Sequence, residues 1–330
     1  MKSLPSSCCK VWIQPNHPCR FGTSVFDSLL ASSQHIKETD FVEIRDGRHC
    51  DVMSADILEY GEGGVVSLAP SNHFNTKQTK NESSDVRFHS NIPFGRAKDC
   101  PTLSLEVQQA TLAAQQFLEF QKKNFVSLAV VGMVHDSTSD SLLITRRPAY
   151  MRSFPGAYVF PGGGVHEHES LVEAVSREVF EETGIEIDDW KLESLWESIY
   201  PTFAKPGVPI KAHHLVCYFS GRLNDGAEKQ QFLNLCSEEV DGAVWLSRET
   251  AEAIASFDEF GRKGTGNNEQ IVGSGMQDYS ETVSLITNMQ NEVQTIPLKE
   301  LMGIYPRNGR SGELFGIAQG SLFALQELLR

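Results

Sequence analysis

The sequence predicts an α+β fold: a mixed sheet with helices packed on it, an N-terminal α/β extension and a C-terminal helix. Three observations predict it. Short runs rich in Val, Ile, Leu and aromatic residues recur from about residue 125 onward, stretches of helical period interrupt them, and no self-similarity at solenoid length is present. A chain of 330 residues has room for about two domains, or one with substantial flanking pieces. The expected division is an N-terminal region at 1–123, a central α/β unit at 124–257, and a linker with a C-terminal helical extension at 258–330.

Taken in order, "KVWIQ" from Lys10, "FVEIRD" from Phe41 and "GGVVSLAP" from Gly63 read as strands. The polar stretch "SNHFNTKQTKNESSDVRFHSN" from Ser71 to Asn91 has no apolar period and reads as a surface loop or disordered segment. From Thr102 to Lys122, Val107, Ala110, Ala114 and Phe117 fall at helical spacing among Gln and Glu, so a connecting helix is expected. "FVSLAVVGMV" and "LLITRR" then read as two strands joined through "HDSTSDS", and "LESLWESIY", "AHHLVCYFSGRL" and "GAVWLS" as later strands. "SRETAEAIASF" opens with a capping Ser, "GRKGTGNNEQIVGSG" is a connector, and "GIAQGSLFALQELLR" is a final amphipathic helix that docks through Leu322, Leu325 and Leu329.

Composition narrows the function classes. Asp and Glu number 43 against 29 Lys and Arg, a net charge of −14, which repels polyanions at long range, so DNA is not an expected partner and any RNA contact must be local. Seven scattered cysteines without a C-x-x-C pair suit reduced thiols. No signal-peptide pattern and no apolar run of membrane-spanning length occurs, so a cytoplasmic location without membrane association is expected. No motif speaks to the oligomeric state.

The densest chemistry lies in "GGGVHEHESLVEAVSREVFEETGI", from Gly162 to Ile185. As a helix from about Glu167 to Thr183, it gathers Leu171, Val172, Val175 and Val179 into a buried stripe. Glu178, Glu181 and Glu182 then project together from another face within one turn. Like charges so placed repel by about 0.2–0.5 kcal/mol per pair even when solvated, and a hard divalent cation such as Mg²⁺, which takes oxygen ligands and shares its sphere with phosphates, relieves that repulsion.

The spacing of Gly163, Glu169, Arg177, Glu178, Val179, Glu181, Glu182, Gly184 and Ile185 matches the Nudix box without departure, and the chain resembles the Nudix hydrolases. The resemblance implies an α/β/α sandwich around a mixed sheet over about residues 124–257. It implies that the Gly162 carbonyl, Glu181 and Glu182 hold Mg²⁺ or Mn²⁺, with Glu178 as a further ligand or as the base that activates water. Arg177 belongs to the same machinery through a pairing with Glu169, and Gly184 ends the helix. A later-loop carboxylate before Trp245 is expected too, with Glu239 the candidate and Glu238 its rival. The implied activity is hydrolysis of the phosphoanhydride bond of a nucleoside diphosphate linked to another moiety.

Two finer resemblances point to different substrates. "LITRRPAYMRSFPGAYVFPGG" is similar to the signature of coenzyme A diphosphatases, although Ile144 and Pro148 depart from it, and it offers Arg146, Arg147 and Arg152 to phosphates. "SLWESIYPTFAKPGVPIKAHHLVCYF" and "FALQELLR" are similar to animal Nudix proteins that act on capped RNA ends, which puts a capped RNA or methylguanine nucleotide first and coenzyme A or acyl-CoA second. Trp196, with Tyr200 and Phe203 nearby, is the candidate for stacking a base, and of His213 and His214 at most one faces the site. A silent nucleotide-binding module is the remote alternative, against which the intact R-E-U-x-E-E stands.

Overall fold

The computed structural model describes residues 10–13, 17–32, 50–61, 65–70, 89–97, 100–115, 126–151, 154–202, 205–223, 233–256, 282–288, 292–302 and 316–330. The strand expected at "FVEIRD", the connector at 261–275, Phe203 and Arg152 lie outside these residues.

The N-terminal part supplies β1 (Lys10–Ile13), β2 (His17–Pro18), α1 (Val25–Ser32), β3 (Cys50–Gly61), β4 (Val65–Pro70), β5 (His89–Ala97) and α2 (Leu105–Gln115). Strands β3 and β5 were not foreseen, and β5 takes in the end of the stretch read as a polar loop. Of the stripe expected on α2, Val107 is buried, while Ala110 and Ala114 are only half-buried. Next come β6 (Ser127–Asp136) and β7 (Ser141–Arg146), the expected hairpin, in whose turn Asp136 accepts from the Thr138 N–H at 2.8 Å. Then follow β8 (Tyr158–Val159), β9 (Gly162–Gly164), α3 (Leu171–Thr183), β10 (Trp190–Tyr200), β11 (Ala212–Arg222), β12 (Gly242–Ser247) and α4 (Arg248–Ser256). The chain closes with β13 (Thr282–Thr287), β14 (Val293–Pro297), α5 (Leu298–Leu301) and α6 (Gln319–Leu328); the two strands here were not foreseen either.

All the strands join one mixed sheet in the order β14, β13, β12, β7, β6, β11, β10, β5, β3, β4, β1, β2, with β8 on β7 and β9 on β6. The pairs β6–β11, β5–β10 and β1–β4 are parallel and the rest antiparallel. Along β10 and β11 successive side chains alternate faces. Leu195, Leu215 and Cys217 enter one core with α1 and α3, whereas Trp196, Val216 and Tyr218 enter a second with α4 and α6. The central sheet is therefore covered on both faces, as the α/β/α expectation required.

Helix α3 begins four residues later than its periodicity suggested. Ser170 caps it, accepting from the Glu173 N–H at 3.2 Å while Glu173 accepts from the Ser170 N–H at 2.7 Å. At the other end Gly184 adopts the left-handed conformation, with φ of 75°, where a side chain would be strained. Helix α6 docks mainly through Phe323, Ala324 and Leu325, with Leu322 and Leu329 at the margin.

Candidate active site

Glu178 and Glu182 are one helical turn apart on α3, and both face inward toward the β9 turn. Gly163 lies so close to Glu178 that a Cβ there would sit 2.5 Å from Oε2. The Gly162 N–H donates to Glu182 Oε2 at 3.3 Å. Glu239 arrives from the loop before β12, and Glu178, Glu182 and Glu239 each offer one carboxylate oxygen, the three lying within 4.8 Å of one another. The two helix residues are buried and Glu239 is exposed.

That grouping is electrostatically costly. Burial, opposed in part by Arg177, pushes the Glu178 carboxyl above its ordinary value. Glu182 is raised well above its ordinary value, first by burial and then by the charges of Glu178 and Glu239, with Arg147 and the Gly162 amide pulling the other way. Three carboxylates, two desolvated, with hard oxygen donors converging on one point, fit a divalent cation such as Mg²⁺ or Mn²⁺. The donor set would suit an aliphatic or sulfur-seeking ligand poorly.

Arg177 explains how the glycine turn and α3 stay in register. Nε donates to Glu169 Oε2 at 3.0 Å, and Nη2 to Glu169 Oε1 at 2.7 Å and to the Gly164 carbonyl at 3.0 Å. Nη1 donates to Glu178 Oε1 at 2.8 Å and to Glu181 Oε2 at 3.1 Å. A guanidinium has five N–H donors, and all five are committed within the protein. The guanidinium thus ties Glu169, the glycine turn and α3 together. Burial would raise the Glu169 carboxyl, but Arg177 and the His166 N–H outweigh it and hold it below its usual value.

Several expectations need correction. Glu181 does not join Glu178 and Glu182: at i+3 it turns to the Arg177 side, and its side chain is 54% exposed. Trp196 is not open to a base. It alternates into the second core, with its ring 5.2 Å from that of Phe323, and is 6% exposed. Tyr200 packs its ring edge-on against Phe154 at 6.0 Å. His213 is buried against Glu197, a structural role. Arg146, offered to phosphates with its neighbours, is committed instead to Asp241 at 2.5 Å and Glu300 at 3.6 Å. Arg147 lies close enough to Glu182 to act on it electrostatically, and the rival Glu238 stands outside the three-carboxylate group.

Sequence reading also missed what supports the Glu239 loop. The Cys236 N–H donates to the Glu182 carbonyl at 3.1 Å and the Asn234 N–H to that of Thr183 at 2.9 Å. Past Glu239, the Asp241 N–H donates to the Arg146 carbonyl at 2.9 Å, and Asn288 Nδ2 to that of Val240 at 2.8 Å.

Residues 126–265 match the family model described as NUDIX domain. The chain carries a NUDIX domain. The Nudix domain holds the whole cluster, from the β9 turn to Glu239. Among similar proteins, the m7GpppN-mRNA hydrolase NUDT17 of Xenopus laevis is 33% identical over 184 residues, 54% of this chain and 60% of that relative. The protein of the same name from Danio rerio is 33% identical over 170 residues, 50% of this chain and 55% of the relative. The chain thus spans little more than half the length of these curated relatives. Among solved structures, the MutT protein from Methanosarcina mazei Go1 is 26% identical, covering 40% of this chain and 82% of that one, with a TM-score of 0.30. No helix among the described residues is long and apolar enough to cross a membrane.

Proposed function

We propose that the chain is a metal-dependent diphosphatase that hydrolyses a nucleoside diphosphate linked to another moiety, with a capped RNA end or methylguanine nucleotide as its substrate. The observation that carries the reading is the convergence of Glu178, Glu182 and Glu239 within 4.8 Å beneath the glycine turn. The similarity to relatives named m7GpppN-mRNA hydrolase supports the choice of substrate.

Glu178 and Glu182 would hold Mg²⁺ or Mn²⁺, with the Gly162 backbone at the same turn, and the exposed Glu239 would complete the set. A divalent cation bound there supplies neutralisation of phosphate oxygens and a lowered pKa for water. Arg177 fixes Glu178 against the glycine turn, so that the carboxylate needs no reorganisation during attack. Glu239, the exposed member, is where a proton taken from the attacking water passes to bulk solvent. Arg147, close enough to Glu182 to act on it electrostatically, is the candidate of the arginine loop for binding a substrate phosphate.

The test is a screen with Mg²⁺ and with Mn²⁺ over a capped dinucleotide, coenzyme A, an acyl-CoA and ADP-ribose, with products identified by mass. A methylated GDP released from the cap is expected. Glu182→Gln and Glu178→Gln should each lower turnover by about 10²–10³-fold and weaken Mn²⁺ binding, whereas Glu181→Gln should cost far less. Coenzyme A cleaved with a kcat/KM at least about tenfold above the cap analogue, a preference of about 1.4 kcal/mol, would favour the coenzyme A reading. Full activity in excess EDTA would overturn the metal-dependent reading altogether.

A further inference from the structure

Tyr150 stands on the connection between β7 and β8, three residues after Arg147. Its ring is 69% exposed, so burial does not hold it in place. Its hydroxyl lies 3.1 Å from the Ser237 carbonyl and 2.9 Å from the Glu238 carbonyl, and its single O–H is shared between these two consecutive acceptors. Both belong to the turn that delivers Glu239. Within that turn the Glu239 and Val240 N–H groups donate to the Cys236 carbonyl at 3.1 and 2.8 Å, which shapes the turn without attaching it to anything. Its two ends are attached elsewhere: Cys236 to the end of α3, and Val240 and Asp241 to Asn288 and Arg146. The exposed middle, Ser237 to Glu239, receives its cross-chain hydrogen bonds, among the described residues, from Tyr150 alone.

We infer that Tyr150 is a positioning residue that latches the arginine loop onto the turn before Glu239 and so holds the third carboxylate over Glu178 and Glu182. A tyrosine suits this task because its ring is stiff, with two rotatable bonds, and spends little conformational entropy in reaching across open solvent. The latch ties the loop of Arg147 to the loop of Glu239, and both of those residues act on Glu182 electrostatically, with opposite sign. A displaced turn therefore alters the charge balance at the buried carboxylates without disturbing either core.

The inference rests on the reading of the three carboxylates as a cation site, and the experiment separates the two. Mn²⁺ affinity is measured by paramagnetic resonance titration of the full chain, alongside kcat, KM and the melting temperature without metal. Tyr150→Phe keeps the ring and removes the hydroxyl; it should weaken Mn²⁺ binding about fivefold, the worth of one net hydrogen bond, and lower kcat by a similar factor. KM and the metal-free melting temperature should stay at wild-type values, which a merely structural role would not predict. In a Glu239→Gln background the Tyr150→Phe penalty should vanish, because the carboxylate being positioned is gone. Wild-type Mn²⁺ affinity in Tyr150→Phe overturns the inference, as does a penalty that persists undiminished beside Glu239→Gln. So does a defect seen in Tyr150→Leu but absent from Tyr150→Phe, which would assign the ring to a stacked base instead. A wild-type chain that binds no Mn²⁺, or a Glu239→Gln variant that binds it normally, overturns the cation-site reading itself and the inference with it.

Discussion

Arg177 shows how many parts of a site one side chain can tie together. Its fork spans Glu169 in the turn before α3, the Gly164 carbonyl, and Glu178 and Glu181 on the helix. A lysine keeps the charge but offers a single ammonium with no bidentate geometry. Arg177→Lys should lower stability by about 2 kcal/mol, roughly 4 °C in melting temperature for a domain of this size, and lower kcat more than it raises KM. Calorimetry with steady-state kinetics checks both, and a catalytic loss at an unchanged melting temperature would place Arg177 on the substrate instead. At this scale the sequence was a good guide wherever spacing along one helix set the geometry. Glu178, Glu182 and Arg177 were legible from the box, and Glu239 from its distance to Trp245. Glu181 leaves the face of its neighbours to pair with Arg177, which the i, i+3, i+4 spacing does not show, and alternation along β10 does not tell which face is covered, so the burial of Trp196 was not legible.

Glu197, near the middle of β10, illustrates the element scale. Fully buried, it accepts from the Val25 N–H at 2.6 Å, the Phe26 N–H at 3.4 Å and the Ser24 hydroxyl at 2.9 Å, so a carboxylate from the central sheet caps the N-terminus of α1. His213 completes the clasp: its Nδ1 accepts from the Gly22 N–H at 3.1 Å, which leaves Nε2 to donate to Glu197 Oε1 at 2.9 Å. Burial alone would raise this carboxyl, but His213, Val25 and Ser24 outweigh it and hold it below its ordinary value. A carboxylate so depressed contributes stability that is fully present above its unfolded value and is lost as pH falls through the folded one. Glu197→Gln should therefore cost about 3 kcal/mol at neutral pH. The gap from wild type should close below about pH 4.5, as urea unfolding at a series of pH values would read. A gap independent of pH down to 3 would contradict the assignment. None of this was legible in the sequence, since the clasp joins residues 172 positions apart and nothing in the pattern of β10 sets Glu197 apart from Glu193. Strand β5 escaped notice for a related reason. Pro93 and Gly95 look like loop residues, yet Gly95 is needed where Phe323 and Trp196 press on the strand, since a Cβ there would lie 2.8 Å from the Phe323 ring.

Over the whole molecule, the N-terminal strands, the Nudix domain and the C-terminal helix share one sheet and its two cores. β5 is hydrogen-bonded to β10 through Phe94, Gly95 and Arg96, and α6 lies across both. Residues 316–318 run beside β8: the Tyr158 N–H donates to the Gly316 carbonyl at 3.0 Å and the Ala318 N–H to the Tyr158 carbonyl at 2.9 Å. A fragment of residues 124–257 would leave Trp196, Tyr218 and Tyr158 without their cover. It should aggregate or melt without cooperativity, while the full chain gives a sharp transition, and Phe323→Ala in the full chain should cost about 3–5 kcal/mol. A soluble fragment with a sharp melt would show that the central unit stands alone. The joint between β5 and β10 also sets an order of events during synthesis. Phe94 and its partner Leu195 are about a hundred residues apart, so at ribosomal speeds of about 5–20 residues per second β5 waits roughly 5–20 s for its neighbour. Through that interval its open edge is a template for any other nascent chain. Pro93, which has no N–H to offer, and the charged Arg96 make it a poor one, so Pro93, which helped to disguise the strand, also helps to guard it until β10 arrives.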